Sequence, residues 1–154
     1  MLVAVALPCA AQTPASAATA CALKASEVSA VLGAKFEEGQ PDTDRSAGAI
    51  VMRSCRYKSK EYSLALNTVT YATAADAKAV SKMLAGKLVP VANDPDGAVS
   101  QEDQGDLTSP NLHYFRGATA VELRVLGTFY KDIKNRVADA RALQVKMQKL
   151  RRVP

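Results

Sequence analysis

His113 is the one imidazole in a chain of 154 residues, so the composition excludes a histidine cluster for a metal and a second histidine for an acid–base relay. It stands between Leu112 and Tyr114 in a run that reads as a strand, where a histidine is ordinarily packed or solvated. A Ser-His-Asp arrangement would need a serine raised on a sharp strand-to-helix elbow, and no Gly-x-Ser-x-Gly occurs. Nor does a glycine-rich turn join a strand to a helix and present amides to a phosphate. The expectation is a protein with no catalytic residues, no cofactor and no metal, and not an enzyme. A hydrolase built around His113 is the rival.

Asp94, Asp96, Gly97 and Asp103 fall on the third, fifth, sixth and twelfth positions of a calcium-loop spacing, but Ala92 occupies the first ligand position. An acidic solvated turn is the expected reading. The cysteines say more. The first 22 residues carry no Lys, Arg, Asp or Glu; a short apolar run from Leu2 to Leu7 is followed by Pro8 and then by Thr13-Pro14-Ala15-Ser16-Ala17, whose end has the small-x-small form that signal peptidase accepts. Residues 1–17 are read as a signal peptide and residues 18–154 as one domain, the number expected for this length. Cleavage removes Cys9 and leaves Cys21 and Cys55, which in an oxidising compartment form a disulfide. Lipid attachment at Cys21 competes with that bond, although Ala18 stands where a lipobox normally has Leu or a similar large residue.

Charge is concentrated at the other end. The net charge is +5, and residues 131–152 hold eight Lys or Arg against two Asp, which leaves the remainder close to balanced. On a helix turning about 100° per residue, Lys131, Lys134, Arg141, Lys149 and Arg152 lie within an arc of about 80°. They form a candidate anion-binding ridge, suited to an acidic partner or an anionic surface. Nucleic acid is disfavoured, because export removes it and no aromatic residues interleave with the cations.

The elements that position these residues follow from periodicity. A short helix is predicted over residues 24–32, with Val28, Val31 and Leu32 on one face and Gly33 as its cap. Residues 36–48 read as a loop. Residues 49–58 and 61–71 read as a hairpin in which Val51, Arg53, Cys55 and Tyr57 share one face, while the second strand slips phase after Leu66, as at a bulge or an end of burial. Thr73 and Asp76 start a second helix, whose stripe is Ala77, Val80, Met83 and Leu84. A short strand over 98–101, a hairpin of 111–116 with 119–128, and a helix over 131–152 complete the order α-β-β-α-β-β-β-α. The last helix is expected to bury Ile133, Val137, Ala140, Leu143, Met147 and Leu150. The fold class is α+β: an antiparallel sheet of two hairpins plus a short strand, covered by helices. No run of about 18 apolar residues is present for a membrane-spanning helix.

Cys21 before a helix ending Val31-Leu32-Gly33, the strand sequence Cys55-Arg56-Tyr57, the helix start from Thr73 to Ala77, the Asp96-Gly97-Ala98 turn and the Arg116-Gly117-Ala118 hairpin together resemble small secreted proteins and lipoproteins of the PsbP-like α/β/α sandwich fold. The chain departs from that pattern in lacking a conventional lipobox and in having Asp-Gly where Gly-Asp is usual. The resemblance implies a binding or accessory module and transfers no catalytic residue.

The expected function is a secreted or periplasmic module that binds a protein or small ligand; an anionic-surface binder working through the basic C-terminal helix is the alternative. Export is checked by intact mass: the mature protein should begin near Ala18 and lack Cys9, and a full-length Met1 species in the mature fraction counts against it.

Overall fold

The computed structural model describes residues 21–84, 86–102, 107 and 109–153; the expected leader, Asp103 and the rest of its loop lie outside them. The first helix, α1 (Ala25–Leu32), forms where predicted. Glu27 accepts the Lys24 N–H at 2.8 Å, and Gly33 ends the helix at φ 79°, a left-handed conformation that glycine adopts without a Cβ clash. Two short strands follow, β1 (Gln40–Pro41) and β2 (Arg45–Ala47), both along the outer edge of β3 (Ile50–Lys58). Strand β3 pairs with β4 (Tyr62–Thr70). Helix α2 (Ala74–Ser81) leads to β5 (Lys87–Pro90), β6 (Val99–Glu102), β7 (Asn111–Arg116) and β8 (Thr119–Gly127). A 3-10 turn (Ile133–Asn135) precedes α3 (Arg136–Met147).

The strands make one antiparallel sheet in the order β1-β3-β4-β8-β7-β6-β5, with β2 also on β3. The α+β expectation therefore holds, with more strands than the sequence indicated. β1, β2 and β5 are two to four residues long and largely exposed. They exist because a neighbouring strand offers free N–H and C=O groups, not because of their own apolar pattern. The phase slip in β4 is an end of burial and not a bulge: its pairing with β8 runs unbroken from Tyr62 opposite Gly127 to Thr70 opposite Thr119.

One face of the sheet carries Cys55, Tyr57, Leu64, Leu66, Leu112, Tyr114, Val121, Leu123 and Val125, all buried. Onto it pack Val28 and Leu32 of α1, Leu143 and Met147 of α3, and Leu150 and Val153 beyond α3. The predicted 131–152 helix is corrected to the shorter α3. Ile133, expected in the core stripe, is 62% exposed, because it belongs to the 3-10 turn and not to the helical phase of Ala140, Leu143 and Met147. α2 packs against β7 and β8; it ends at Ser81, so Met83 falls outside its stripe and is 79% exposed. Thr73 caps it by accepting the Asp76 N–H at 3.1 Å, and the Asp76 carboxylate takes the Thr73 hydroxyl instead of its amide.

Cys21 and Cys55 form the predicted disulfide, with Cα atoms 5.7 Å apart. Bridging a separation of 34 residues stabilises the fold by roughly 3–4 kcal/mol in the chain-entropy picture. Two residues along β3, the fully buried Tyr57 accepts the Leu23 N–H at 3.1 Å and donates its hydroxyl to the Leu23 carbonyl at 2.8 Å. The residue facing both is Gly39. A Cβ there would lie 2.7 Å from Tyr57 Cε1 and 2.8 Å from Cys21 Cβ and Sγ. Gly39→Ala should therefore cost about 1–3 kcal/mol by overpacking, read as a lower denaturant midpoint at unchanged slope; wild-type stability would show that the approach is looser than described.

Candidate functional site

Lys131, Lys134, Arg141 and Lys149 of the predicted ridge are exposed, and none of the four forms an ion pair among the described residues. Arg152 is a correction. Its side chain is 12% exposed, paired with Asp94 and 3.8 Å from Asp96 Oδ2. Its guanidinium carbon lies 5.0 Å from the centroid of the Tyr114 ring. The helix stops at Met147, so helical phase no longer governs position 152, and the chain turns this arginine inward.

That pairing also occupies one carboxylate of the calcium-like spacing. One Asp94 oxygen accepts the amides of Asp96 and Ala98 at 3.0 and 3.1 Å, and the other takes Arg152. Burial pushes the Asp94 carboxyl upward, but the Arg152 guanidinium and the two amides outweigh it and hold the group below its ordinary value. The carboxylate is already spent on the turn and the C-terminal segment, and Asp103 lies outside the described residues. No group of three or more metal-ligating side chains is present among the described residues.

His113 belongs to a polar row that crosses the sheet on the face opposite Tyr57 and Leu123. Pairing places Ser54, Asn67, Glu122, His113 and Val99 side by side on five successive strands. Ser54 Oγ donates to Asn67 at 2.7 Å, Asn67 Nδ2 donates to Glu122 at 3.0 Å, and Arg124 reaches the other Glu122 oxygen at 3.1 Å. His113 is 7% exposed, and its Nε2 has no hydrogen-bond partner among the described residues. Burial pushes its imidazole below the ordinary value against the upward pull of Glu122, and the Arg124 charge adds to the depression.

A hollow of about 270 Å³ lies against Ser54 and Asn67 of this row, and larger open space lies elsewhere. Two cavities of about 590 and 540 Å³ adjoin at Gly33, Ala34 and Glu61. Together they form a cleft between the end of α1, the β3–β4 turn and the segment leading into α3, and neither lobe includes His113. One lobe is lined by Lys35, Phe36, Glu37, Ser59 and Lys60. The other is lined by Tyr62, Phe129, Tyr130, Lys131 and, from α3, Asp139 and Lys146. The aromatics are braced: Phe36 meets Tyr62 edge-on at 5.6 Å, Phe129 meets Tyr130 edge-on at 5.3 Å, and Arg136 lies 5.8 Å from the Tyr130 ring centroid. Lys146 Nζ donates to the Leu32 carbonyl at 3.3 Å, tying α3 to the end of α1 at the cleft floor. The arrangement offers flat apolar faces with charges of both signs around them. Sequence reasoning missed it, although Phe129-Tyr130 directly after the alternating strand was a visible signal.

Comparison with family models, with curated proteins and with solved structures finds no match to this chain.

The pH dependence of stability follows from two groups. The folded His113 binds a proton less readily than the unfolded one, so its contribution is full above the ordinary imidazole value of about 6.5 and is lost as the pH falls below it. Glu27 is held from 4.5 down to about 2, first by its hydrogen bond from Arg151 and then by the Lys24 amide. Its contribution is present above 4.5 and is lost on acidification toward 2. Thermal melts between about pH 8 and pH 5 should show the first loss in the wild type and not in His113→Gln; identical profiles would mean that the ring is solvated.

Proposed function

We propose that this protein is a secreted or periplasmic, non-enzymatic binding module of PsbP-like build, whose ligand enters the cleft between α1, the β3–β4 turn and the Thr128–Lys131 segment. The observation that carries the reading is the second lobe, where Tyr62, Phe129 and Tyr130 line open space beside Lys131, Lys146, Glu61 and Asp139. Aromatic walls with a few polar groups are the usual make-up of a ligand site, and charges of both signs suit a short peptide segment or small polar ligand with one apolar group. Export is supported by the Cys21–Cys55 disulfide and the charge-free leader; no helix among the described residues is long and apolar enough to cross a membrane. The non-enzymatic reading is supported by the placement of the lone imidazole, packed in the sheet beside Glu122 and away from the cleft. The PsbP-like assignment rests on the short motifs around Cys21, Cys55 and Thr73.

The test is an NMR titration of the isotope-labelled mature chain with pooled short peptides. Shifts should concentrate at Gly33, Ala34, Glu61, Phe129 and Tyr130. Tyr130→Ala should weaken the best ligand by about tenfold or more, as expected for an aromatic anchor, without changing the fold. A ligand that shifts other surfaces, or is insensitive to Tyr130→Ala, would move the site elsewhere.

A further inference from the structure

The cleft uses one flank of α3 and the core uses another, which leaves a third. Ala140, Leu143, Gln144 and Met147 are buried, whereas Ala138, Arg141 and Val145 are exposed and recur at the spacing of a single helical face, which meets the cleft along its border at Ala142. Val145 is 55% exposed and Ile133, just before the helix, 62%. Lys134, Arg141 and Lys149 are exposed, Lys134 next to Ile133 in the chain and Arg141 one helical turn before Val145, while Lys131 lines the cleft. Residues 131–149 contain six cations and two acids. Of the acids, Asp132 caps the 3-10 turn by accepting the Lys134 N–H at 2.9 Å, and Asp139 lines the cleft.

We propose that the outer face of α3, with the turns that flank the helix, docks the protein on an anionic phospholipid surface, with Arg141 of α3, Lys134 of the preceding 3-10 turn and Lys149 of the following turn at the headgroups and Ile133 and Val145 entering the interface. Charge complementarity selects an anionic occupant. A surface is the fitting occupant and not a small ligand, because none of the three cations lines either lobe of the cleft. Aliphatic side chains interleaved with long cationic ones are the pattern of interfacial helices, which combine apolar burial with attraction to acidic lipids. Arg151 and Arg152 take no part, being held by Glu27 and Asp94. The geometry does not depend on cleft occupancy, so this proposal stands or falls apart from the ligand reading above.

The experiment is co-sedimentation of the mature chain with vesicles of phosphatidylcholine alone or mixed with phosphatidylglycerol. Binding is expected only to the mixed vesicles and should fall steeply with added salt. K134Q/R141Q/K149Q should weaken it by about a hundredfold. I133S/V145S should weaken it at unchanged charge, which a purely electrostatic attraction would not do. Tyr130→Ala should leave it intact. Circular dichroism of each variant checks that the fold survives. Equal binding to both vesicle types, or no effect of either variant, overturns the proposal. Salt-sensitive retention on polyglutamate with no vesicle binding also overturns it, in favour of an acidic protein partner.

Discussion

Deep in the core, the Tyr57 hydroxyl both accepts from and donates to the backbone of Leu23. Its burial would be costly without partners, and the backbone of an extended segment supplies a donor and an acceptor at once. The rest of the N-terminal arrangement depends on this contact. α1 has eight residues, too few to persist alone in water, and it is held where Tyr57 and the neighbouring disulfide fix the segment ahead of it. β1 closes over the same spot because Gly39 presents no side chain there. The chain repeats the device at its other end: Tyr114 accepts the Val153 N–H at 2.9 Å and donates to the Val153 carbonyl at 3.5 Å. Two tyrosines on one face of the sheet thus grip the segments on which α1 and α3 hang.

The sheet also separates tasks by face and by end. Asn67, Glu122 and Arg124 are linked across the second face, although the buried Arg124 Nε has no hydrogen-bond partner among the described residues. At the α1 end, Phe129 and Tyr130, just beyond β8, are partly exposed beside the buried Tyr62. α3 joins the parts, one flank in the core, one on the cleft and one outward. α3 and the turns around it thus carry both proposed contacts, which meet along the line of Ala142.

The two hairpins were legible because alternation such as Val121, Leu123 and Val125 against Glu122 and Arg124 is a direct imprint of one buried face. The disulfide was legible by counting cysteines after a charge-free leader. The short strands β1, β2 and β5 were not, since their order comes from pairing with an edge and two to four residues leave no period. The end of α3 was missed for a related reason. Leu150 continues the heptad-like spacing of Leu143 and Met147, yet it reaches the core from a turn, and periodicity does not distinguish the two routes. Arg152 followed the same false phase, and nothing local announced Asp94 as its partner, 58 residues away.

Arg151 touches both ends of the fold: its guanidinium donates to the Ala22 carbonyl at 2.6 Å and pairs with Glu27 at 2.9 Å. The first and last described segments are therefore neighbours, although the sequence sets them as far apart as it can. For a ring-shaped version of this chain, a short flexible bridge from residue 153 back to residue 21 would span the gap without drawing on either helix. New ends could then be cut at the Gly48 or Gly117 turns, where a Cβ would meet nothing within 4 Å. The two end segments of the described fold thus meet in space, which is the geometry that circular permutation requires.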